Sequence, residues 1–153
     1  MTVESYRSAM RSLIGERWED VWNAVPRAVE GADIEGVHDV RVASRRLRAA
    51  MDVAAPAFPA SWYKPLHDAA KEITAELGAV RDRDVMIEYL TGARDAAPPN
   101  ERPGIDRLID RVERERVVAR KVMETYLQTL AEERLRDETR RRFPNPQPAA
   151  KAR

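Results

Sequence analysis

Apolar residues recur every three to four positions along almost the whole of this chain, and nowhere do they alternate with polar ones. That period puts them on one side of a helix, whereas a half-buried strand needs a period of two. Proline and glycine divide the pattern into four segments. The first is expected from about Val3 to Val29, with Pro26 kinking or fraying its last turn. Gly31-Ala32-Asp33 connects it to the second, which Asp33 caps and which runs from Ile34 to Ala55, stopping before Pro56. Ser61 is expected to cap the third, with Pro65 in its first turn, Ala96 near its end, and Gly78 marking a bend or a close backbone approach. Pro98-Pro99-Asn100 breaks the chain again, and the fourth segment runs from Pro103 to about Phe143.

The expected apolar stripes are Val3, Tyr6, Met10, Leu13, Val21, Ala24 and Ala28, then Val40, Leu47, Met51 and Ala54. They continue with Leu66, Ile73, Leu77, Val80 and Ile87, and finally Ile105, Leu108, Val112, Ala119, Met123, Tyr126 and Leu130. Four amphipathic helices with short connections predict an all-α fold, an antiparallel four-helix bundle with long helices over residues 1–143. The proline-rich residues 144–153 are expected to be a disordered tail.

The chain has no cysteine, which excludes disulfide frameworks and cysteine-rich zinc sites. No stretch reaches the roughly 20 apolar residues of a membrane span, and no signal peptide is evident. The expectation is a cytoplasmic protein without membrane attachment. Charged residues make up 35% of the chain, yet the net charge is only +1, so any electrostatic function depends on where the charges sit.

They gather on the second helix. At about 100° per residue, His38, Arg41, Arg45 and Arg48 fall within a band roughly 80° wide, opposite Val40, Leu47 and Ala54, with Arg46 at its edge. Arginines one turn apart repel each other. The band has no acid within it, and Asp39 is the one acid of residues 37–48. An anion lying along the helix would offset that repulsion. Guanidinium groups suit the task, because they stay charged and grip phosphate oxygens in pairs of parallel hydrogen bonds. The row spans about three turns, roughly 15 Å, which fits a linear phosphate chain better than a single phosphate. A histidine at one end adds charge below neutral pH or donates a hydrogen bond when neutral. Against this stand a merely solvated basic face and a salt-bridge seam with an acidic helix.

A second run, Leu77-Gly78-Ala79-Val80-Arg81-Asp82-Arg83-Asp84-Val85, reads alone as a self-neutralising surface turn. Taken with His38-Asp39-Val40-Arg41-Val42 and Arg45-Arg46-Leu47-Arg48, it resembles the CHAD family, the conserved-histidine α-helical domains. The resemblance implies a helical bundle that binds inorganic polyphosphate on a basic surface of the second and third helices and is not itself a catalyst. It implies binding positions at His38, Arg41, Arg45, Arg46, Arg48 and Arg81, with Asp82 and Asp84 as supports, to which helical phase adds Arg116 as a partner of Asp84. It also implies association with polyphosphate granules and a CYTH-type, triphosphate-processing partner. CHAD domains usually pair two similar bundles, and this chain has length for one, so a homodimer is expected to rebuild the pair.

Three charges fall at core phase: Arg17, Asp84 and Arg116. An unpaired buried charge costs several kcal/mol, so Asp84 is expected to pair with Arg116 or Arg17, to brace an arginine of the anion site, or to reach solvent. Trp18, Trp22, Trp62 and Tyr63 are expected to pack the first helix on the start of the third or to cover a dimer seam, and His67 is read as a surface residue. No metal site and no cofactor is expected. The competing functions are a phosphoanhydride enzyme, a structural or adaptor bundle docking an acidic protein, and a nonspecific nucleic-acid binder.

Overall fold

The computed structural model describes residues 2–31 and 34–144, with the backbone alone at Gly31, Ile34 and Glu133. Among them every regular element is helical. They are α1 (Val3–Gly31), α2 (Ile34–Ala54), α3 (Ala60–Ala96), α4 (Arg102–Leu130) and α5 (Glu133–Arg142), with one 3-10 turn at Ala55–Ala57. The all-α class is as the periodicity predicts. Asp33, the expected cap of α2, and residues 145–153 of the expected tail lie outside the described residues.

The helices form two compact units. The first contains α1, α2, the 3-10 turn, α3 as far as Ala75, the end of α4 from Leu127, and α5; the second is Glu76–Tyr126. In the first unit α1 and α2 pack antiparallel. Arg27, near the end of α1, pairs with Glu35 at 3.0 Å and Asp39 at 3.3 Å at the start of α2. Arg7, near the start of α1, donates from Nε to the Ala57 carbonyl, 2.9 Å away, just past the end of α2. In the second unit α3 and α4 also run antiparallel, held by Arg94–Asp106 at 2.5 Å and by Arg116–Asp84.

Two glycines set how closely helices approach. A Cβ on Gly36 would lie 2.9 Å from the Ala28 nitrogen of α1, and one on Gly15 would lie 2.5 Å from the Phe143 carbonyl oxygen. Both neighbours are backbone and cannot swing aside. Gly78, expected to serve this purpose or to mark a bend, lies inside the continuous helix α3, and a Cβ there meets nothing within 4 Å.

The core corrects the expected stripe of α1. Ile14, Trp18, Val21, Trp22, Val25 and Ala28 are buried, whereas Val3 is 70% exposed. The stripe is turned by about one residue because the two indoles carry the largest apolar surfaces on the helix and take the interior. Arg17 therefore leaves the core phase and pairs with Asp20 at 3.0 Å. On α4, Leu108 is 44% exposed, while Val112, Met123, Leu127 and Leu130 are buried. The stripe of α2 is as expected, with Val40, Leu47, Met51 and Ala54 all buried.

Four boundaries differ from expectation. α1 continues helical through Pro26 to Gly31, the proline standing exposed. α2 ends at Ala54, and Pro56 sits inside the 3-10 turn that follows. α3 begins one residue before Ser61, because the Pro59 carbonyl accepts from the Tyr63 N–H at 3.1 Å; Pro65 then falls beyond the first turn. The fourth segment is two helices: Glu132 takes an extended conformation (φ −65°, ψ 145°) and α5 turns back onto α1. No glycine or proline marks that break. Its cause is tertiary: Trp22 Nε1 donates to Thr139 Oγ1 at 3.0 Å, and Arg140 grips buried Glu19 with two hydrogen bonds of 2.9 and 3.0 Å.

The aromatics also divide differently from expectation. Trp18 and Trp22 stack along α1 at 5.4 Å, while Trp62 and Tyr63 join Phe58 and Phe143 in a second cluster. Gly36→Ala and Gly15→Ala are each expected to lower stability by about 1–3 kcal/mol, through forced separation of packed backbones. Gly78→Ala, at an open helical position, is expected to raise it by about 0.5–1 kcal/mol. Urea unfolding of the three variants checks both signs.

Candidate anion-binding face

The candidate site is built on α2, whose orientation follows from its buried face. Gly36, Val40, Ala43, Ser44, Leu47, Met51 and Ala54 are all buried, a spacing of three and four that fixes one side of the helix inward. His38, Arg45 and Arg46 are exposed and Arg41 and Arg48 are half-buried, so the expected band does face away from the core.

The carboxylates near this band are engaged elsewhere. Asp39 pairs with Arg27 of α1. Asp52, one turn beyond Arg48, has an oxygen 2.6 Å from His67 Nε2 on α3, and its other oxygen stands 3.9 Å from Arg48. His38, Arg41, Arg45 and Arg46 form no ion pair with the described residues. Four side chains over two helical turns thus present positive charge or hydrogen-bond donors with no ion-pair partner among the described residues. Among the described residues no carboxylate relieves their mutual repulsion.

His67 is not the surface residue expected. Its side chain is 12% exposed, it contacts Asp52, and its ring lies 5.6 Å from that of Tyr63. The Tyr63 hydroxyl donates to the Met51 carbonyl at 2.7 Å. Burial first, then the charges of Asp52 and Tyr6, push its pKa well above the ordinary phenol value, so it remains a donor. Together these contacts lock the C-terminal end of α2 against α3 and hold Asp52 back from the arginine band.

The remaining candidates belong to the second unit. Arg81 and Asp82 are exposed on α3 and form no ion pair with the described residues. Arg83 donates to the carbonyl of Ala79, one turn back, at 3.2 Å. Asp84 pairs with Arg116 of α4, the first of the partners expected. Both members of that pair are about one-third exposed, so the core phase expected for them is corrected to the rim of the α3–α4 seam.

Sequence reading missed the two features that hold the α2 face. One is Arg27, which removes Asp39 from the band; the other is Gly36, which lets α2 dock tightly. Arg27 lies on a different helix, and its distance in sequence gave no signal. Gly36 was visible as a glycine inside an apolar pattern.

A rim ion pair screened by water contributes little. Asp84→Asn is therefore expected to cost about 1 kcal/mol or less in chemical denaturation, and a loss of several kcal/mol would contradict the exposed pair.

No curated protein and no solved structure shows significant similarity to the chain. The family model described as the CHAD domain matches residues 12–153, which include the α2 face and the run around Arg81. The chain belongs to the CHAD domain family.

Proposed function

We propose that this protein binds inorganic polyphosphate along the outer face of α2, as a binding module without catalysis of its own. CHAD domains are associated with polyphosphate binding in general. The observation that carries the reading to these residues is the set His38, Arg41, Arg45 and Arg46, without an ion pair among the described residues, continued by Arg48 with its long contact to Asp52. Guanidiniums one helical turn apart, about 5.4 Å, can each grip phosphates along a linear polyanion. Each phosphate taken supplies an acceptor that the described residues do not give. Two of the acids nearest the family's motifs, Asp39 and Asp84, are occupied by Arg27 and Arg116, which supports binding over metal-assisted hydrolysis. Arg81 and its neighbour Asp82 are carried by the family's pattern as further candidate positions.

Hydrogen bonds between charged groups are worth about 1.5–3 kcal/mol each. Arg41→Ala with Arg45→Ala is therefore expected to weaken long-chain polyphosphate binding on the order of 100-fold or more. Circular dichroism should show the helices intact, since neither side chain belongs to the core. The same titration with duplex DNA as competitor, at physiological salt, separates this reading from nonspecific nucleic-acid binding. Polyphosphate is expected to displace DNA, and stronger displacement by DNA would sink the proposal. An adaptor role predicts instead that the double variant loses an acidic protein partner and keeps polyphosphate.

The reading includes a homodimer that doubles the basic surface. It is supported by the second unit, where Val118 and Val122, one turn apart on α4, are 63% and 51% exposed and line one groove with Ala119. Exposed apolar clusters of this kind mark contact surfaces. Analytical ultracentrifugation is expected to show a dimer that Val118→Glu converts to a monomer with weaker polyphosphate binding. A monomeric wild type that binds as tightly would remove the dimer from the reading. On the same reading the protein acts in the cytoplasm at polyphosphate granules, alone or beside a CYTH-type partner. No described helix is long and apolar enough to cross a membrane.

A further inference from the structure

A second concentration of arginine lies in the first unit, on elements that the α2 face does not use. Arg7 and Arg11, one turn apart on α1, meet Arg141 and Arg142 from the last turn of α5 around a pocket of about 510 Å³. Trp62, at the start of α3, also lines it. No residue of α2 does so.

These guanidiniums are held in place by groups that mostly leave their charge intact. Arg7 donates to the carbonyl of Ala57. Arg11 lies 5.7 Å from the centre of the Phe58 ring, and Arg142 lies 4.8 Å from that of Trp62. The rings belong to the packed cluster that includes buried Phe143, whose carbonyl abuts Gly15. α5 is further tied to α1 through Thr139 and Arg140. The arginines are thus positioned before any ligand arrives, which lowers the ordering cost of binding.

Carboxylates are too few to neutralise them. Glu4 pairs with Arg7 at 2.6 Å, while Glu138 serves both Arg141 at 2.5 Å and Arg142 at 3.5 Å. Arg11 forms no ion pair with the described residues. The Nε of Arg142 is buried and makes no hydrogen bond. Among the described residues four guanidiniums face two carboxylates, so the pocket has surplus positive charge.

We propose that this pocket is a second anion site, for a short phosphoanhydride group such as pyrophosphate or tripolyphosphate, distinct from the α2 face. Forked donors converging from two helices suit a multiply charged phosphate better than a planar carboxylate. The pocket volume lies in the range of small-ligand sites and exceeds what one phosphate needs. Arg142 already covers Trp62, so ring stacking is taken and the open chemistry is guanidinium to phosphate. The group is either a free oligophosphate or the end of a long chain; the recognising chemistry is shared.

Isothermal titration of the full chain with tripolyphosphate tests the site. Arg11→Gln keeps much of the stem over Phe58 and removes the charge. It is expected to weaken tripolyphosphate at least tenfold, whereas Arg11→Lys retains most of the affinity and Arg41→Ala with Arg45→Ala leaves it unchanged. A thermal melt accompanies each variant; if Arg11→Gln lowers the melting temperature sharply, Arg141→Gln takes its place with the same expectation. Tripolyphosphate is also expected to change tryptophan fluorescence, and Trp62→Phe removes that change. Unaltered affinity in both Gln variants overturns the proposal, as does loss of tripolyphosphate in the α2 double variant alone. Long chains then identify the source. Weaker binding of free-ended chains by Arg11→Gln, with end-blocked chains unaffected, assigns chain ends; no effect on either assigns free oligophosphate. This site stands or falls independently of the α2 face, because the two sets of variants share no residue.

Discussion

The close docking of α2 on α1 is the constraint from which the candidate face follows. At Gly36 the two backbones come so near that a single methyl would strike the Ala28 nitrogen at 2.9 Å. The same side of α2 continues through Val40, Ala43, Leu47, Met51 and Ala54, all buried. Rotating the helix by one residue would drive an arginine inward at a cost of several kcal/mol and lift Gly36 from its only fitting place. The outward direction of Arg41 and Arg45 is thus a by-product of apolar packing. The electrostatic face needs no interaction of its own to orient it.

What makes the face basic is the allocation of acids. The chain carries 27 basic and 26 acidic residues, so an even distribution would give almost no field. Screening at physiological salt extends over about 8 Å, so a ligand senses the local balance and not the sum. Asp39 is drawn to Arg27, Asp52 to His67, and Glu19 to Arg140, each across helices. Those pairings tie helices together and at the same time leave arginines elsewhere without acceptors.

The extent to which this was legible in sequence varies helix by helix. α2 was readable because its small and aliphatic residues leave one unambiguous stripe, with arginines on the opposite side. α1 offers competing stripes through Leu13 and through Ile14, and only the burial of Trp18 and Trp22 decides between them. The break before α5 carries no local signal, since it is imposed by Thr139, Arg140 and Phe143 reaching residues more than 100 positions away. Glycine raises the same difficulty. Gly15, Gly36 and Gly78 all stand inside helical patterns, and what distinguishes them is a neighbour that local sequence cannot name. Arg116 was one of the partners that helical phase offered Asp84, and the antiparallel run of α3 and α4 is what selects it. The exposure of the pair was not readable, since it depends on how far the seam opens. Arg7, Arg11, Arg141 and Arg142 read as unremarkable surface charges until α5 folds back.

The two arginine groups differ in a way that decides what each is suited to hold. On α2, Arg41, Arg45 and Arg46 stand on the outer side of the helix with no ion pair among the described residues to order them. Ordering each rotamer-rich side chain costs about 0.5–1.5 kcal/mol, so a single phosphate returns little net gain there. A long chain does better, because after the first contact its remaining phosphates bind from a high effective concentration. In the pocket, Phe58, Trp62 and the Ala57 carbonyl have already ordered Arg11, Arg142 and Arg7. Less ordering cost remains to be met by the ligand, and the walls limit its size. Affinity on α2 should therefore rise steeply with chain length, while affinity in the pocket should level off once the volume is filled. That contrast follows from side-chain freedom and shape alone, even though the same guanidinium chemistry serves both.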